Sequence, residues 1–551
     1  MKVVIIGGVA GGMSAATRLR RLEERAEITV YEMSEHVSYA NCGLPYFISD
    51  VISERQSLLL QTPESLWARF RIAVKVQSMV TSINREAKTV TVKNLATGET
   101  YDDPYDKLVI STGAKPRQLT IPGIERAMWL RNVTDADTVK AALENVAPDK
   151  DGQKSVAILG AGFIGIELAE NIRHLGHKVT IVQRSNSILG QFDPEMIQPL
   201  HDQLTKHGVE IVLSAEAAEI TKTGVILTNG SRIDAGLVFT AAGVVPDNSL
   251  AREAGLKIGA TGGLWVDDQQ RTSDPDIFAA GDAVEKNGEL TGDQTLIPLA
   301  NLANRHGRLV ADVIAGRAVK ARPSLGTVII GAFGFATGIT GLSERAAIKG
   351  GIKHAIIHVH PNNHAGYYPG AKRVSMKVLF DPETGKLLGA QAHGEDGADK
   401  RIDVIATAIA GGLTIDDLMD LELAYAPQFG SAKDAINIAG YVGNNVFNGT
   451  TPTVQWHQLE AARAAGAQVI DVRSPHEHGA GRIPGTINIP VDELRDRLSE
   501  VQLEDVVVYC AVGQRGHIAT QILKANGAKV RNLDGGYSTW SVAEKAMQRK
   551  P

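Results

Sequence analysis

Two copies of one pattern, an apolar strand that breaks into glycines and then a helix, constrain this 551-residue chain more than any other feature. The first copy runs Val3-Val4-Ile5-Ile6 into Gly7-Gly8-Val9-Ala10-Gly11-Gly12, a helical stretch through Arg20, and a strand, Ile28 to Tyr31, that ends on Glu32. In such a unit the glycines let a pyrophosphate approach the backbone at the helix N-terminus, and the acid binds a ribose hydroxyl. Val9 stands where the second glycine of the fingerprint is expected. The second copy follows the strand Ser155 to Leu159 with a full G-x-G-x-x-G, Gly160 to Gly165, a helix through about His174 and a strand over 178–182. Its acid position holds Gln183 and Arg184, which would tolerate a 2′-phosphate that an acid repels, so NADH and NADPH both stay open. Two copies imply two nucleotides and electron transfer between them.

A chain of this length holds three or four domains, because one core rarely grows past about 250–300 residues. The net charge of −5 leaves no electrostatic footprint for nucleic acid or an anionic membrane. No apolar run approaches the roughly 18 residues of a membrane span. The N-terminus runs straight into glycines and reads as a first strand, not as a signal peptide. Two cysteines, Cys42 and Cys510, make no disulfide framework, so a reducing cytoplasmic location is expected.

Cys42 lies in Val37-Ser38-Tyr39-Ala40-Asn41-Cys42-Gly43-Leu44-Pro45-Tyr46, just after the first unit. On residue type alone it is either a redox nucleophile or a small buried hydrophobe. The strands Leu108 to Ile110 and Ile277 to Ala279 then close on Thr112-Gly113 and Gly281-Asp282. In this order the motifs resemble the flavoprotein disulfide reductases, over about residues 1–445. The resemblance implies an α/β chain with FAD on Gly7, Gly8, Ala10, Gly11, Gly12, Glu32, Thr112, Gly113, Gly281, Asp282, Pro298 and Ala300. It implies NADH or NADPH on Gly160, Gly162, Gly165, Gln183 and Arg184. The implied domains are two Rossmann-like ones, an FAD domain of residues 1–120 and 241–322 and an NAD(P) domain of 121–240, then an α+β dimerisation domain of 323–445 that makes a homodimer.

Residues 43–47 contain no second cysteine, so Cys42 either pairs with a sulfur that arrives from outside or cycles through an oxidised state of its own. Ser38 to Cys42 resembles the single-cysteine motif of coenzyme A-disulfide reductases and of NADH oxidases and peroxidases. The latter usually place a histidine where this chain has Ala10. Coenzyme A phosphates require basic residues, and Arg18, Arg20, Arg21, Arg69 and Arg71 are candidates, or else solvated helix faces. By the resemblance, Ser14, Arg18, Arg21, Ser38, Asn41 and a basic residue near Arg69 hold coenzyme A. It also implies that Tyr367 (or Tyr368) and Tyr425 reach the partner subunit's active site, with Lys433 near the substrate.

After the turn-rich stretch 443–452, the strand Val506 to Tyr509 ends on Cys510 and opens the loop Ala511-Val512-Gly513-Gln514-Arg515-Gly516 before a helix. Successive N–H groups of such a loop stabilise a thiolate or persulfide, and Arg515 adds positive charge. Residues 453–551 resemble an α/β rhodanese domain, with Asp534-Gly535-Gly536-Tyr537 and Trp540 near its end and Arg482 where a histidine is more usual. The whole resembles coenzyme A-disulfide reductase–rhodanese fusions, including persulfide and polysulfide reductases. The implied activity is NAD(P)H-driven reduction of coenzyme A disulfide, persulfide or polysulfide through Cys42, with Cys510 carrying sulfane sulfur. Two rivals are an NADH oxidase or peroxidase that uses a Cys42 sulfenic acid and a sulfurtransferase with a redox-sensing flavin part.

Overall fold

The computed structural model describes residues 1–148 and 152–549. They form two compact units, one of Met1–Arg184 with Gly208–Ser324, the other of Ser185–His207 with the chain from Leu325 on.

The first unit contains two parallel sheets. One orders its strands Ile277–Ala279, Lys107–Ile110, Lys2–Ile6, Glu27–Tyr31 and Ala73–Lys75. Val3, Val4 and Ile5 are fully buried, as expected where both faces of a parallel sheet are covered. The helix Ala10–Leu22 packs against Ala300–Ile314 at backbone distance, since a Cβ on Gly307 would meet Gly11 O at 2.1 Å. The other sheet orders Val209–Val212, Lys178–Val182, Ser155–Leu159 and Leu237–Thr240. Because Ile277–Ala279 returns beside Lys107–Ile110, the second glycine unit is an insertion within the chain that builds the first sheet.

The second unit begins with an antiparallel sheet, ordered Val328–Ala332, Phe335–Gly341, Leu387–Gly394, Val374–Phe380 and Ala355–Val359. A second, parallel sheet follows, ordered Thr453–Val454, Val530–Leu533, Val506–Tyr509, Gln468–Asp471 and Ile487–Asn488. The sequence reading put residues 185–207 in the NAD(P) domain, and here the fold differs. The helix Pro194–Lys206 buries Met196, Ile197, Leu200 and Leu204 within the second unit. Asp193, just before it, accepts the N–H groups of Glu344 and Arg345 at 3.0 and 3.1 Å and exchanges two hydrogen bonds with Gln391.

Behind those contacts lies a buried charge cluster. Lys377 Nζ touches Asp193 at 2.9 Å and Glu195 and Glu344 at 2.5 Å each. The three carboxylates are close enough to hold a metal ion, but the cation they share is this ammonium. Burial alone would raise Glu195, and the Lys377 charge with hydrogen bonds from His358 and Lys377 holds it below the usual carboxylate range.

Candidate active sites

The two glycine turns share a local design. Gly8 N–H donates to Glu32 Oε2 at 2.8 Å, and the equivalent Ala161 N–H donates to Gln183 Oε1 at 3.0 Å. In each copy the residue just after the second strand therefore fixes the turn that follows the first. Gly12 and Gly165 sit where a Cβ would meet Gly7 O at 1.9 Å and Gly160 O at 2.1 Å, so helix and strand pack as only glycine permits. Neither Ala10–Leu22 nor Phe163–His174 has a side-chain N-cap, which leaves their first N–H groups for an anion. Gly162 faces open space. These features fit the pyrophosphate of a dinucleotide in both turns. Arg184 is solvent-exposed, 4.0 Å from Glu216, and no acid stands at that strand end.

The remaining flavin-assigned residues gather around the first turn. Gly11 would place a Cβ 2.7 Å from Ser111 Oγ, Thr112 Oγ1 donates to Asp247 O at 2.6 Å, and Gly113 takes φ +74° against Arg131. Pro298 and Ala300 are exposed where the helix Ala300–Ile314 begins. Beside Gly281, burial pushes the Asp282 carboxyl up and pulls Lys286 down to about 8, while Lys286 Nζ donates to Gly281 O and Val284 O. Ala10 opens its helix and offers no side-chain hydrogen bond.

Cys42 occupies the single turn Asn41–Gly43 and is exposed. Desolvation by its surroundings pushes the thiol up, and the nearby Glu167 and Asp282 carboxylates add to the shift. Glu167 escaped the sequence reading. It lies five residues after Gly162 on the helix Phe163–His174, and burial, with Glu170 nearby, raises it to about 7. An acidic residue one turn into a helix that opens on a glycine fingerprint was the available signal. Glu167→Gln removes a negative charge beside the sulfur, so the Cys42 pKa should fall. Alkylation of Cys42 by iodoacetamide at pH 7.5, followed by mass spectrometry, should speed up about threefold or more, whereas an unchanged rate would detach Glu167 from the sulfur.

Among the residues assigned to coenzyme A, Arg21 and Arg69 are exposed, whereas Arg18 donates through Nε and Nη2 to Asp312 Oδ1 at 3.1 and 2.7 Å. That guanidinium is paired with a carboxylate on the neighbouring helix Ala300–Ile314. Ser14 Oγ donates to Asn304 Oδ1 at 2.8 Å. Ser38 adopts φ +48°, and Asn41, with its amide oriented to suit its neighbours, donates to Arg131 O at 2.9 Å. In the second unit the hydroxyls of Tyr367 and Tyr425 meet at 3.1 Å, and both rings are exposed, at 77% and 51%. Tyr368 packs edge-on against His364 instead. Lys433 lies over the Tyr441 ring.

Cys510 is buried, and its Sγ accepts the Gly513 N–H at 3.1 Å, with Gly513 at φ +100° just before the helix Gln514–Ala525. Arg515 forks onto Glu477, Nη1 to Oε2 at 2.7 Å and Nη2 to Oε1 at 2.6 Å. This pair holds Glu477 down at about 2, chiefly through the Arg515 hydrogen bonds, so the guanidinium beside the sulfur is anchored by a carboxylate the sequence reading did not single out. Tyr537 N–H and Ser538 N–H donate to the carbonyls of Cys510 and Ala511 at 2.8 and 2.9 Å.

Family models match as pyridine nucleotide-disulphide oxidoreductase over residues 1–307, as the dimerisation domain of that family over 330–435, and as a rhodanese-like domain over 455–543. A coenzyme A disulfide reductase of Staphylococcus epidermidis is 32% identical over 441 residues, 80% of this chain and 99% of that protein. The crystal structure of reduced Bacillus anthracis CoADR-RHD is 44% identical with a TM-score of 0.96, covering 99% of this chain and 98% of that one. An NAD-dependent persulfide reductase from A. fulgidus is 34% identical with a TM-score of 0.90, covering 98% and 100%.

Proposed function

The chain belongs to the pyridine nucleotide-disulphide oxidoreductase family and carries a rhodanese-like domain, and from that premise we propose that it is an FAD-dependent NAD(P)H oxidoreductase whose substrates are coenzyme A disulfide, coenzyme A persulfide and related sulfane sulfur. The observation that carries the reading is an exposed Cys42 with no neighbouring thiol, in a chain whose other cysteine sits in a backbone N–H loop. Coverage of nearly the full length of a protein described as a persulfide reductase supports it.

FAD, when bound, supplies the two-electron relay between nicotinamide and sulfur. Gly7, Gly8, Gly11, Gly12 and Glu32 would hold it, with Asp282 on its polar chain, and Gly160, Gly162, Gly165 and Gln183 would hold the nicotinamide nucleotide. The thiolate of Cys42 attacks one sulfur of coenzyme A disulfide, forming a mixed disulfide and releasing one coenzyme A thiolate. Two electrons and the proton delivered from NAD(P)H then release the second thiol and regenerate Cys42. Overall, NAD(P)H, H⁺ and the disulfide give NAD(P)⁺ and two thiols; a persulfide gives one thiol and hydrogen sulfide. Glu167 is positioned to exchange a proton near Cys42. Tyr367 and Tyr425 would donate hydrogen bonds to sulfur across a homodimer, with Ser14, Arg18, Arg21, Ser38, Asn41, Arg69 and Lys433 around coenzyme A. Cys510 would take sulfane sulfur as a persulfide in the loop held by Gly513 and Arg515. We assign residues 1–120 and 241–322 to flavin, 121–184 and 208–240 to nicotinamide, 323–445 to dimerisation and 453–551 to sulfur carriage, in the cytoplasm.

The test is anaerobic oxidation of NADH and of NADPH with coenzyme A disulfide, coenzyme A persulfide and polysulfide run in parallel. Turnover with at least one sulfur substrate, far above that with oxygen or peroxide, is expected. Oxygen or peroxide turnover without any sulfur turnover would overturn the reading in favour of an oxidase or peroxidase.

A further inference from the structure

The strand Ala355–Val359 carries a contact that the reactions above do not use. His358 donates its backbone N–H to Asp534 Oδ1 at 3.1 Å, its Nδ1 lies 2.6 Å from Asp534 Oδ2, and its Nε2 lies 3.3 Å from Glu195 Oε1. The side chains of His358 and Asp534 are each 2% exposed. Neighbouring contacts fall on alternate residues of the same stretch: Gln455 Nε2 donates to Ile356 O at 3.1 Å, and His360 Nε2 meets Thr539 Oγ1 at 2.9 Å. The backbone of this edge strand and the alternate side chains His358 and His360 thus both meet the C-terminal domain.

Asp534 begins the turn that supports the sulfur loop. Gly535 and Gly536 take φ +65° and +59°, and a Cβ on Gly535 would meet His358 Cβ at 2.8 Å, while one on Gly536 would meet Cys510 O at 2.4 Å. The next two N–H groups are those that hold the carbonyls of Cys510 and Ala511. A continuous series of contacts therefore runs from His358 through Asp534 and the double-glycine turn to the backbone of Cys510.

We propose that His358 is a positioning residue for sulfur carriage at Cys510, gripping the Asp534 carboxylate so that the turn after it holds the persulfide loop in shape. The proposal rests on the reading of Cys510 as the sulfur carrier. The charged and titratable groups that face His358 are Asp534, Glu195 and Lys377, with His360, His393 and Arg373 along the same cavity. Burial alone would lower His358, but the charge and hydrogen bond of Asp534, with a hydrogen bond to Glu195, raise it to about 9, so the ring is an imidazolium at neutral pH. It opens onto a cavity of about 270 Å³ that Glu195, His358, His360, Ser375, His393 and Thr539 help to line, so a truncated ring leaves a space that a small molecule can reach.

The reaction to follow is sulfur transfer from thiosulfate to cyanide by the full-length, flavin-loaded enzyme. Cys510 thiolate takes the outer sulfur of thiosulfate, breaking the S–S bond and releasing sulfite; cyanide then removes that sulfur as thiocyanate and restores the thiolate. His358→Ala should lower the rate at saturating thiosulfate about tenfold or more with flavin content intact. Added imidazole should restore a large part of it at pH 6, where the added base is mostly charged, and little at pH 9. His358→Gln keeps one donor toward Asp534 and fills the space, so it should lose activity by a few-fold and show no imidazole rescue. Should the alanine variant fail to fold, the glutamine variant decides: the wild type loses rate above about pH 9 as the ring deprotonates, and the variant should lack that loss. Wild-type rates in both variants, or an alkaline limb unchanged in His358→Gln, would overturn the proposal. Equal transfer by wild type and Cys510→Ser would instead overturn the reading of Cys510 itself.

Discussion

Cys42→Ser is expected to lower NAD(P)H-dependent reduction of coenzyme A disulfide by about a thousandfold or more. The step lost is covalent: a serine hydroxyl neither forms a mixed disulfide nor leaves from one, and residues 43–47 supply no second thiol to substitute. Single-turnover oxidation of NADH, followed anaerobically with and without the disulfide, separates the parts of the reaction. The serine variant should still accept one hydride equivalent from NADH into its bound flavin and then stop. Sulfur-dependent turnover above about one per cent of wild type would move the chemistry away from Cys42. The raised thiol pKa adds a second signature: wild-type turnover at limiting disulfide should climb with pH as the thiolate fraction grows, until Cys42 is fully ionised.

Legibility in the sequence followed the range of the physics involved. The glycine turns could be read because each demand is local: Gly12 must clear Gly7 O, and the strand-ending residue 24 positions after Gly8 must accept its N–H. The Cys510 loop is local too, with the sulfur, Gly513 and Arg515 inside six residues. What escaped depends on chain folding back over long separations. Nothing near Arg18 announces that Asp312 will take its guanidinium, and nothing near Arg515 announces Glu477, 38 residues earlier. The segment 185–207 reads as a continuation of the nucleotide unit because its partners, Gln391, Lys377 and Glu344, come some 150 to 200 residues later. Family resemblance singled out Tyr367 and Tyr425, but their meeting at 3.1 Å was not legible, since 58 residues of sequence carry no distance information.

The second large effect is on stability. Lys377→Met is expected to destabilise the second unit by about 3–5 kcal/mol, the usual cost of stripping one partner from a buried ion cluster. Lys377 is fully buried and serves Asp193, Glu195 and Glu344 together, so its loss leaves three carboxylates crowded around an apolar side chain. The pH dependence distinguishes this mechanism from a simple packing defect. In the wild type the Glu195 carboxyl sits below its unfolded value, so its contribution is present above the unfolded carboxylate pKa and fades as pH falls. Without the ammonium, burial makes Glu195 bind its proton more tightly in the folded chain than in the unfolded one, and the variant loses stability as pH rises above about 4. The gap between wild type and variant should therefore be widest at neutral pH and narrow toward pH 5. Urea unfolding of the flavin-loaded enzyme at the two pH values measures it, and a gap that stays constant would assign the loss to packing. Because Asp193 and Glu195 tie the helix Pro194–Lys206 to the sheet, and Glu195 also bonds His358, the same substitution should loosen the contact that reaches Cys510. Sulfur transfer should then fall before global unfolding begins as urea is raised, an order that a packing defect confined to the sheet would not produce.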